Sequence, residues 1–260
     1  MKAVILVAGQ GTRLRPYTDH IPKCMVEFMG KPLLSYQLAA LKGAGIDNIV
    51  LVGGYKASEL NAGDARLLIN HRYAETNMVA TLFTAADEMD GMDDLLICYG
   101  DIIYEPRILE ALKACEDPVC VSVDKEWRRM WALRMDNPLD DAETLKLSGN
   151  RVLEIGKKPT GYEDIQGQYM GLIKVRADYV TKIKSFWLDM DRAAHYDGKN
   201  FDNMYMTSLL QSFIDTDIPV TAVPVENGWL EVDSVEDLET YTKLAHEGIL
   251  DSYVRLSAIV

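Results

Sequence analysis

"AVILVAGQGTRLRPYTDHIPKCM", residues 3–25, joins a short apolar run to a loop carrying two glycines and the cations Arg13, Arg15 and Lys23. Residues 3–8 are rich in β-branched side chains, as expected of a parallel strand covered on both faces. Downstream, Pro32 opens "PLLSYQLAALKGAG", where Leu33, Leu34, Leu38 and Leu41 share one helical stripe and Gly43 or Gly45 ends it. "NIVLVGG" (48–54) then reads as a second buried strand. Strand, helix, strand in this rhythm is a βαβ unit, and such crossovers are right-handed.

The rhythm continues through a helix at 77–89, a strand at 94–100, a helix from Pro106 and a strand at 118–123. The first half is therefore doubly wound, with its ligand site at the carboxyl ends of the strands. After Asp124 the texture changes. "WALRMD", "TLKLSGNRVLEIGKK" and "QYMGLIKV" read as shorter strands with turns such as Ser148-Gly149-Asn150. Helices are expected at 177–188 and 203–215, a strand at 219–225, and a last helix at 235–247, capped by Ser234 with Asp237 as its partner. The pattern predicts an α/β fold with a Rossmann-like, doubly wound mixed sheet. Residues 1–260 are expected to form one domain, with a doubly wound half at 1–124 and a mixed half at 125–260 that includes a smaller cap.

Hydrophobic residues make up 48% of the 260, enough for a substantial core. Lys and Arg number 27 against 40 Asp and Glu, a formal charge of −13. Such a surface repels nucleic acid and acidic membrane faces, so neither is an expected partner. No run reaches the roughly 18 apolar residues of a membrane span. The four cysteines show neither a CxxC pair nor zinc-ligand spacing, which fits reduced thiols and a cytoplasmic protein, with Cys98 packing as a small hydrophobe. The four histidines lack HExxH spacing and no GxSxG elbow occurs, so zinc and serine hydrolysis have no support.

Against that acidic background, the cations of the loop stand out. The loop is not the dinucleotide fingerprint, because Leu14 fills the third glycine position, nor a P-loop, which requires GK[ST]. A plain tight turn would account for the glycines but not for the cations beside them. Gly9 and Gly11 can turn backbone N–H groups inward as an anion nest, Arg13 can grip phosphate oxygens through two N–H groups, and Lys23 adds a point charge.

The stretch 6–23 fills every defining position of [LV]-x-A-G-x-G-x-R-[LM]-x-P-x-T-x-x-x-P-K. It resembles the signature of the nucleotidyltransferase superfamily that makes sugar nucleotides and CDP-activated compounds. "GKPLLSYQL", "YGDIIY" and "WLEVDSVEDLETY" extend the resemblance over nearly the whole chain. The resemblance implies attack by a phosphate or phosphonate oxygen on the α-phosphorus of a nucleoside triphosphate, with loss of pyrophosphate. It implies that Val7, Ala8, Gly9, Gly11 and Gly100 cradle the nucleotide. Arg13 would hold the β/γ end, and Lys23 would bridge the reacting phosphates. Asp101 and Asp233 match the family's two metal carboxylates, with Mg²⁺ as the ion; read alone, either is equally a helix cap or a solvated turn. Asp124 also ends a strand, in a weaker motif context.

Where sugar-nucleotide enzymes often carry G-T-A, this chain has Ala80-Thr81-Leu82 behind "ETN", which looks more like the CTP-using branch that handles phosphocholine and phosphonates. Thr76, Asn77 and Thr81 are therefore nucleotide-binding candidates, although Thr76 would equally serve as a cap and Thr81 as packing. "EWRRMWALRMDNPLDDAETLKL" resembles the acceptor-side region of those cytidylyltransferases. Trp131, Tyr169 and Trp229 would shape a pocket for a small cationic head group, or else are core residues. Glu231, two residues before Asp233, shares its face if the segment is extended. Asp136 and Glu143 fit an amine-bearing acceptor as well as they fit solvated edges.

The expected activity is a Mg²⁺-dependent cytidylyltransferase using CTP and a small phosphorylated or phosphonylated acceptor, such as phosphocholine or 2-aminoethylphosphonate. Two rivals remain at this level: a sugar-1-phosphate nucleotidyltransferase using dTTP or UTP, and a non-catalytic nucleotide-sensing subunit. A homodimer is compatible with the sequence, which does not fix the oligomeric state.

Overall fold

A computed structural model describes residues 1–259. The chain begins with β1 (Lys2–Val7), the short hairpin strands β2 (Glu27–Phe28) and β3 (Lys31–Pro32), and helix α1 (Leu33–Gly43). Next come β4 (Asn48–Gly53), β5 (Arg66–Ile69), α2 (Met78–Phe83), β6 (Leu95–Tyr99), β7 (Ile102–Tyr104), α3 (Pro106–Ala114) and β8 (Val119–Asp124). The second half runs α4 (Trp127–Arg134), β9 (Leu145–Ser148), β10 (Arg151–Ile155), β11 (Gln168–Val175) and α5 (Ala177–Asp189). A hairpin of β12 (His195–Tyr196) and β13 (Lys199–Asn200) precedes α6 (Met206–Asp215), β14 (Val220–Val225), β15 (Trp229–Glu231) and α7 (Val235–His246).

Nine strands form one mixed sheet in the order β5-β4-β1-β6-β11-β8-β14-β10-β9. Neighbours β5, β4, β1 and β6 run parallel, β11 is antiparallel to both β6 and β8, and β14 is parallel to β8. The chain leaves β1 toward β4 and β5, then returns to the other side of β1 as β6. The strand order thus reverses at β1, and the crevice beyond its carboxyl end is where open α/β sheets bind ligands. The glycine loop emerges there.

Both faces of the sheet are covered, which explains why β1 and β6 read as near-continuous apolar runs. One core layer joins the sheet to α1, α3, α4 and α7; the other joins it to α2, α5 and α6. Cys98 is fully buried in β6.

Three expectations change. "WALRMD" is not a strand, and its first four residues end helix α4: Trp127, Met130 and Trp131, three and four apart, all face the core. The helix expected over 77–89 stops at Phe83, where the Thr84 hydroxyl donates back to the Ala80 carbonyl at 3.1 Å, and resumes only as a 3-10 turn at Ala86–Glu88. Cys115 and Cys120 form a disulfide rather than separate thiols, because the turn between α3 and β8 brings their Cα atoms to 6.6 Å. The predicted capping box at Ser234 and Asp237 is present.

Candidate active site

Backbone geometry shapes the loop after β1. Gly11 sits at φ +59, where an L side chain is strained, and a Cβ there would stand 2.9 Å from the Lys23 Cβ. The Thr18 hydroxyl, wholly buried, donates to the Gly11 carbonyl at 2.8 Å and pins the turn. Gly100 crosses directly under β1, and a Cβ on it would lie 2.5 Å from the Leu6 carbonyl oxygen.

Loop, α2 and the β6–β7 turn enclose a cavity of about 310 Å³. Val7, Ala8, Gly9, Gly11, Arg13, Lys23, Thr76, Asn77, Thr81, Gly100, Asp101 and Asp233 all line it. The structure therefore brings every sequence-derived nucleotide, catalytic and metal candidate to one place. Tyr73 and Met78 join them without having been singled out. Within α2, Asn77 rather than Thr76 is the cap, accepting from the Met78 N–H. Asn70, also missed, donates to the hydroxyls of both Thr76 and Thr81 at 3.0 Å, while those hydroxyls donate to the carbonyls of Arg72 and Asn77. Thr81 is thus held by packing and hydrogen bonds within the wall.

The acidic residues meet through a small sheet. β15 pairs antiparallel with β7 so that Glu231 lies opposite Ile102, and the Val232 N–H donates to the Asp101 carbonyl at 3.0 Å. Carboxylate oxygens of Asp101, Glu231 and Asp233 then all lie within 4.8 Å of one another. The Lys23 ammonium donates to Asp101 at 2.7 Å and also to Asp233, and Arg13 reaches Asp233 at 2.8 Å. Burial by itself would lower the Lys23 pKa, but Asp101, Asp233 and Glu231 outweigh it and hold the ammonium above the ordinary lysine range. Glu231 is pushed up to about 7 by burial and by repulsion from Asp233. For Asp233, burial is outweighed by Lys23, Arg13 and Arg134, which keep its pKa below the usual carboxylate range.

This cluster fits a divalent cation. Its donors are all oxygen, the preference of hard ions such as Mg²⁺, and Asp101 Oδ1 is buried without any hydrogen-bond partner.

A second cavity, about 210 Å³, adjoins the first through Met78 and Asp233, which line both. Trp131, Tyr169, Trp229 and Glu231, the four acceptor candidates, line it together with Tyr99, Asp141, Glu143 and Gln168. Trp229 is 2% exposed and donates through Nε1 to Asp124 at 2.9 Å. Asp124 also accepts from the N–H groups of Glu126 and Asn227, so this aspartate anchors the wall from behind. Trp131 donates to Asp141 at 3.1 Å. Glu143 has its pKa raised to about 7 by burial and by the nearby charges of Asp141 and Asp197. Arg128 and Arg129 stack on Tyr162 and Tyr253 and line neither cavity.

A cation-bearing loop facing a carboxylate cluster, at the reversal point of a mixed sheet, defines a nucleotidyltransferase. Residues 3–176 match the MobA-like NTP transferase domain, and the chain belongs to that family. It is 42% identical over 248 residues to the CTP:phosphoglutamine cytidylyltransferase of Campylobacter jejuni, covering 92% of this chain and 98% of that one. It is 40% identical over 93 residues to the choline-phosphate cytidylyltransferase of Streptococcus pneumoniae, covering 34% of this chain and 41% of that one. In fold it is similar to the inositol-1-phosphate CTP transferase from T. maritima, with a TM-score of 0.73, 21% identity and coverage of 98% and 97%.

Proposed function

We propose that this nucleotidyltransferase moves a cytidylyl group from CTP to a small acceptor carrying both a phosphate and a protonated amine, with phosphoglutamine as the first acceptor to test. The observation that carries the reading is the junction of the two cavities at Asp233. One side offers glycine backbone and cations, as a triphosphate requires; the other offers aromatic rings and carboxylates, as a cationic head group requires. The likeness to the phosphoglutamine enzyme runs the length of the chain, which favours an amino-acid acceptor over choline. The acidic second cavity also disfavours a neutral sugar, and a pure nucleotide sensor would have no use for the three clustered carboxylates.

In this reading the acceptor's phosphate oxygen attacks the α-phosphorus, and the bond to the bridging oxygen breaks with its electron pair leaving on pyrophosphate. Nothing covalent is asked of the protein; it positions and neutralises. Gly9 and Gly11 give the triphosphate access to backbone, and Arg13 holds the departing pyrophosphate. Lys23 moves from its carboxylate partners to the charge building between the reacting phosphates. Asp101, Asp233 and Glu231 would hold Mg²⁺, which when bound supplies further neutralisation of phosphate charge. Residues 1–124 and 125–260 divide this labour as nucleotide and acceptor halves, with Asp233 and Glu231 reaching across.

The test is pyrophosphate release from each of the four ribonucleoside triphosphates and dTTP, paired with phosphoglutamine, phosphocholine, 2-aminoethylphosphonate and glucose 1-phosphate, in Mg²⁺ and in EDTA. Release with CTP and an amine-bearing acceptor, lost in EDTA, is expected. Turnover of glucose 1-phosphate with dTTP or UTP, or none with any pair, would overturn the proposal.

A further inference from the structure

Arg134 lies outside both cavities and outside the signature loop, yet its guanidinium is the hub of the acidic cluster. Its side chain is 1% exposed. Nη1 donates to Glu231 at 2.7 Å, Nε to Asp237 Oδ1 at 3.0 Å, and Nη2 to Asp237 Oδ2 at 3.3 Å and to Asp233 at 3.4 Å. Asp237 in turn accepts from the backbone N–H of Asp233 at 2.9 Å and of Ser234 at 3.1 Å. The guanidinium therefore fixes Asp233 twice: directly through its carboxylate, and through Asp237 by way of its backbone.

Three carboxylates crowded against one another repel, and burial favours their neutral, non-ligating forms. A permanently charged, planar fork with five donors answers both problems, and a lysine ammonium in its place could not face three carboxylates at fixed angles. The helix that supplies it matters too. Trp131, one turn earlier on α4, forms part of the wall of the acceptor cavity, and its ring centre lies 5.6 Å from the Arg134 guanidinium.

We infer that Arg134 is a positioning residue that holds Glu231 and Asp233 in their ligating arrangement, and that α4 thereby ties the acceptor wall to the metal carboxylates. This rests on the reading that those carboxylates hold a divalent cation. Partners that orient metal ligands from behind typically change metal affinity by about 10- to 100-fold when replaced.

The test is Mn²⁺ titration of the full-length protein without nucleotide, followed by calorimetry, on wild type and Arg134→Lys, with circular dichroism to establish folding. Arg134→Lys should bind Mn²⁺ at least about tenfold more weakly. Its kcat should fall, its KM for the acceptor should rise, and its KM for CTP should move least. Wild-type Mn²⁺ affinity in folded Arg134→Lys would overturn the inference. Absence of Mn²⁺ binding by the wild type would overturn the metal reading itself, and this inference with it. Should Arg134→Lys fail to fold, Asp237→Asn takes its place, since its amide oxygen can still accept from the N–H groups of Asp233 and Ser234 while the charge and the oxygen that accepts from Arg134 Nε are lost. Weakening of Mn²⁺ binding by threefold or more supports the inference, and unchanged affinity overturns it.

Discussion

The two cavities that meet at Asp233 are walled by different means. The cavity proposed for the nucleotide is built largely from short contiguous pieces: residues 6–13, the turn into α2, and Gly100-Asp101 at the end of β6. Much of what it presents is backbone and fixed cation. The cavity proposed for the acceptor is assembled from side chains on α4, the segment before β9, β11, the start of α6 and β15, and it presents rings and carboxylates. A triphosphate is the same in every member of a family, so one loop can be specialised for it. A variable acceptor is met by side chains, which can be exchanged without disturbing that loop.

The sharpest break between the two sides should come from Lys23→Ala. Turnover should fall by about a thousandfold or more, since charge stabilisation at the reacting phosphates is lost. CTP affinity, measured by calorimetry, should change far less, because the glycine backbone and Arg13 remain. Unchanged turnover would remove Lys23 from its role.

Glu143→Gln probes the acceptor side alone. It should raise the acceptor KM about tenfold while leaving the KM for CTP within twofold, as loss of one charge-assisted contact implies. It also carries a pH signature. The folded protein holds the Glu143 proton up to about pH 7, whereas the unfolded chain loses it near 4.5. Between those values the native state binds more protons, so stability declines as pH rises and levels off above about 7. Urea unfolding should therefore find the variant close to wild type at pH 4 and more stable by roughly 3 kcal/mol at pH 8. An equal difference at both pH values would contradict that origin.

Gly11→Ala should cost about 1–2 kcal/mol in the same unfolding measurement, from the positive φ and the crowded Lys23 Cβ. The smallest effect is expected from Trp131→Phe, which keeps a ring in the acceptor wall and removes the bond to Asp141. A loss of about 1 kcal/mol in stability and a modest rise in acceptor KM should follow.

The same contrast explains what could be read from sequence. Arg13, Lys23 and the glycines lie within 15 residues, so their gathering around one cavity was legible from spacing, while the roles proposed for them came from the resemblance. The sheet was legible because fully covered strands are continuously apolar. Helix α4 was misread because its two tryptophans and short length resemble strand composition, although Trp127, Met130 and Trp131 already carried the helical spacing. Arg134 was invisible for a different reason: its partners lie 97 to 103 positions away, joined only by tertiary packing. Glu143 was noticed only as an acidic residue; nothing local revealed that no cation is among the charges that set its pKa. Asn70 lies six and eleven residues before the threonines it holds, a relation only the folded turn supplies.

The central claim is that the two cavities serve one reaction across Asp233. Phosphorus NMR of the protein with CTP, phosphoglutamine and Mg²⁺ addresses it most directly. The account predicts that the CTP resonances give way to pyrophosphate and to a pair of coupled signals from a new phosphorus–oxygen–phosphorus linkage between CMP and the acceptor. CTP left intact beside every amine-bearing acceptor tested would contradict it.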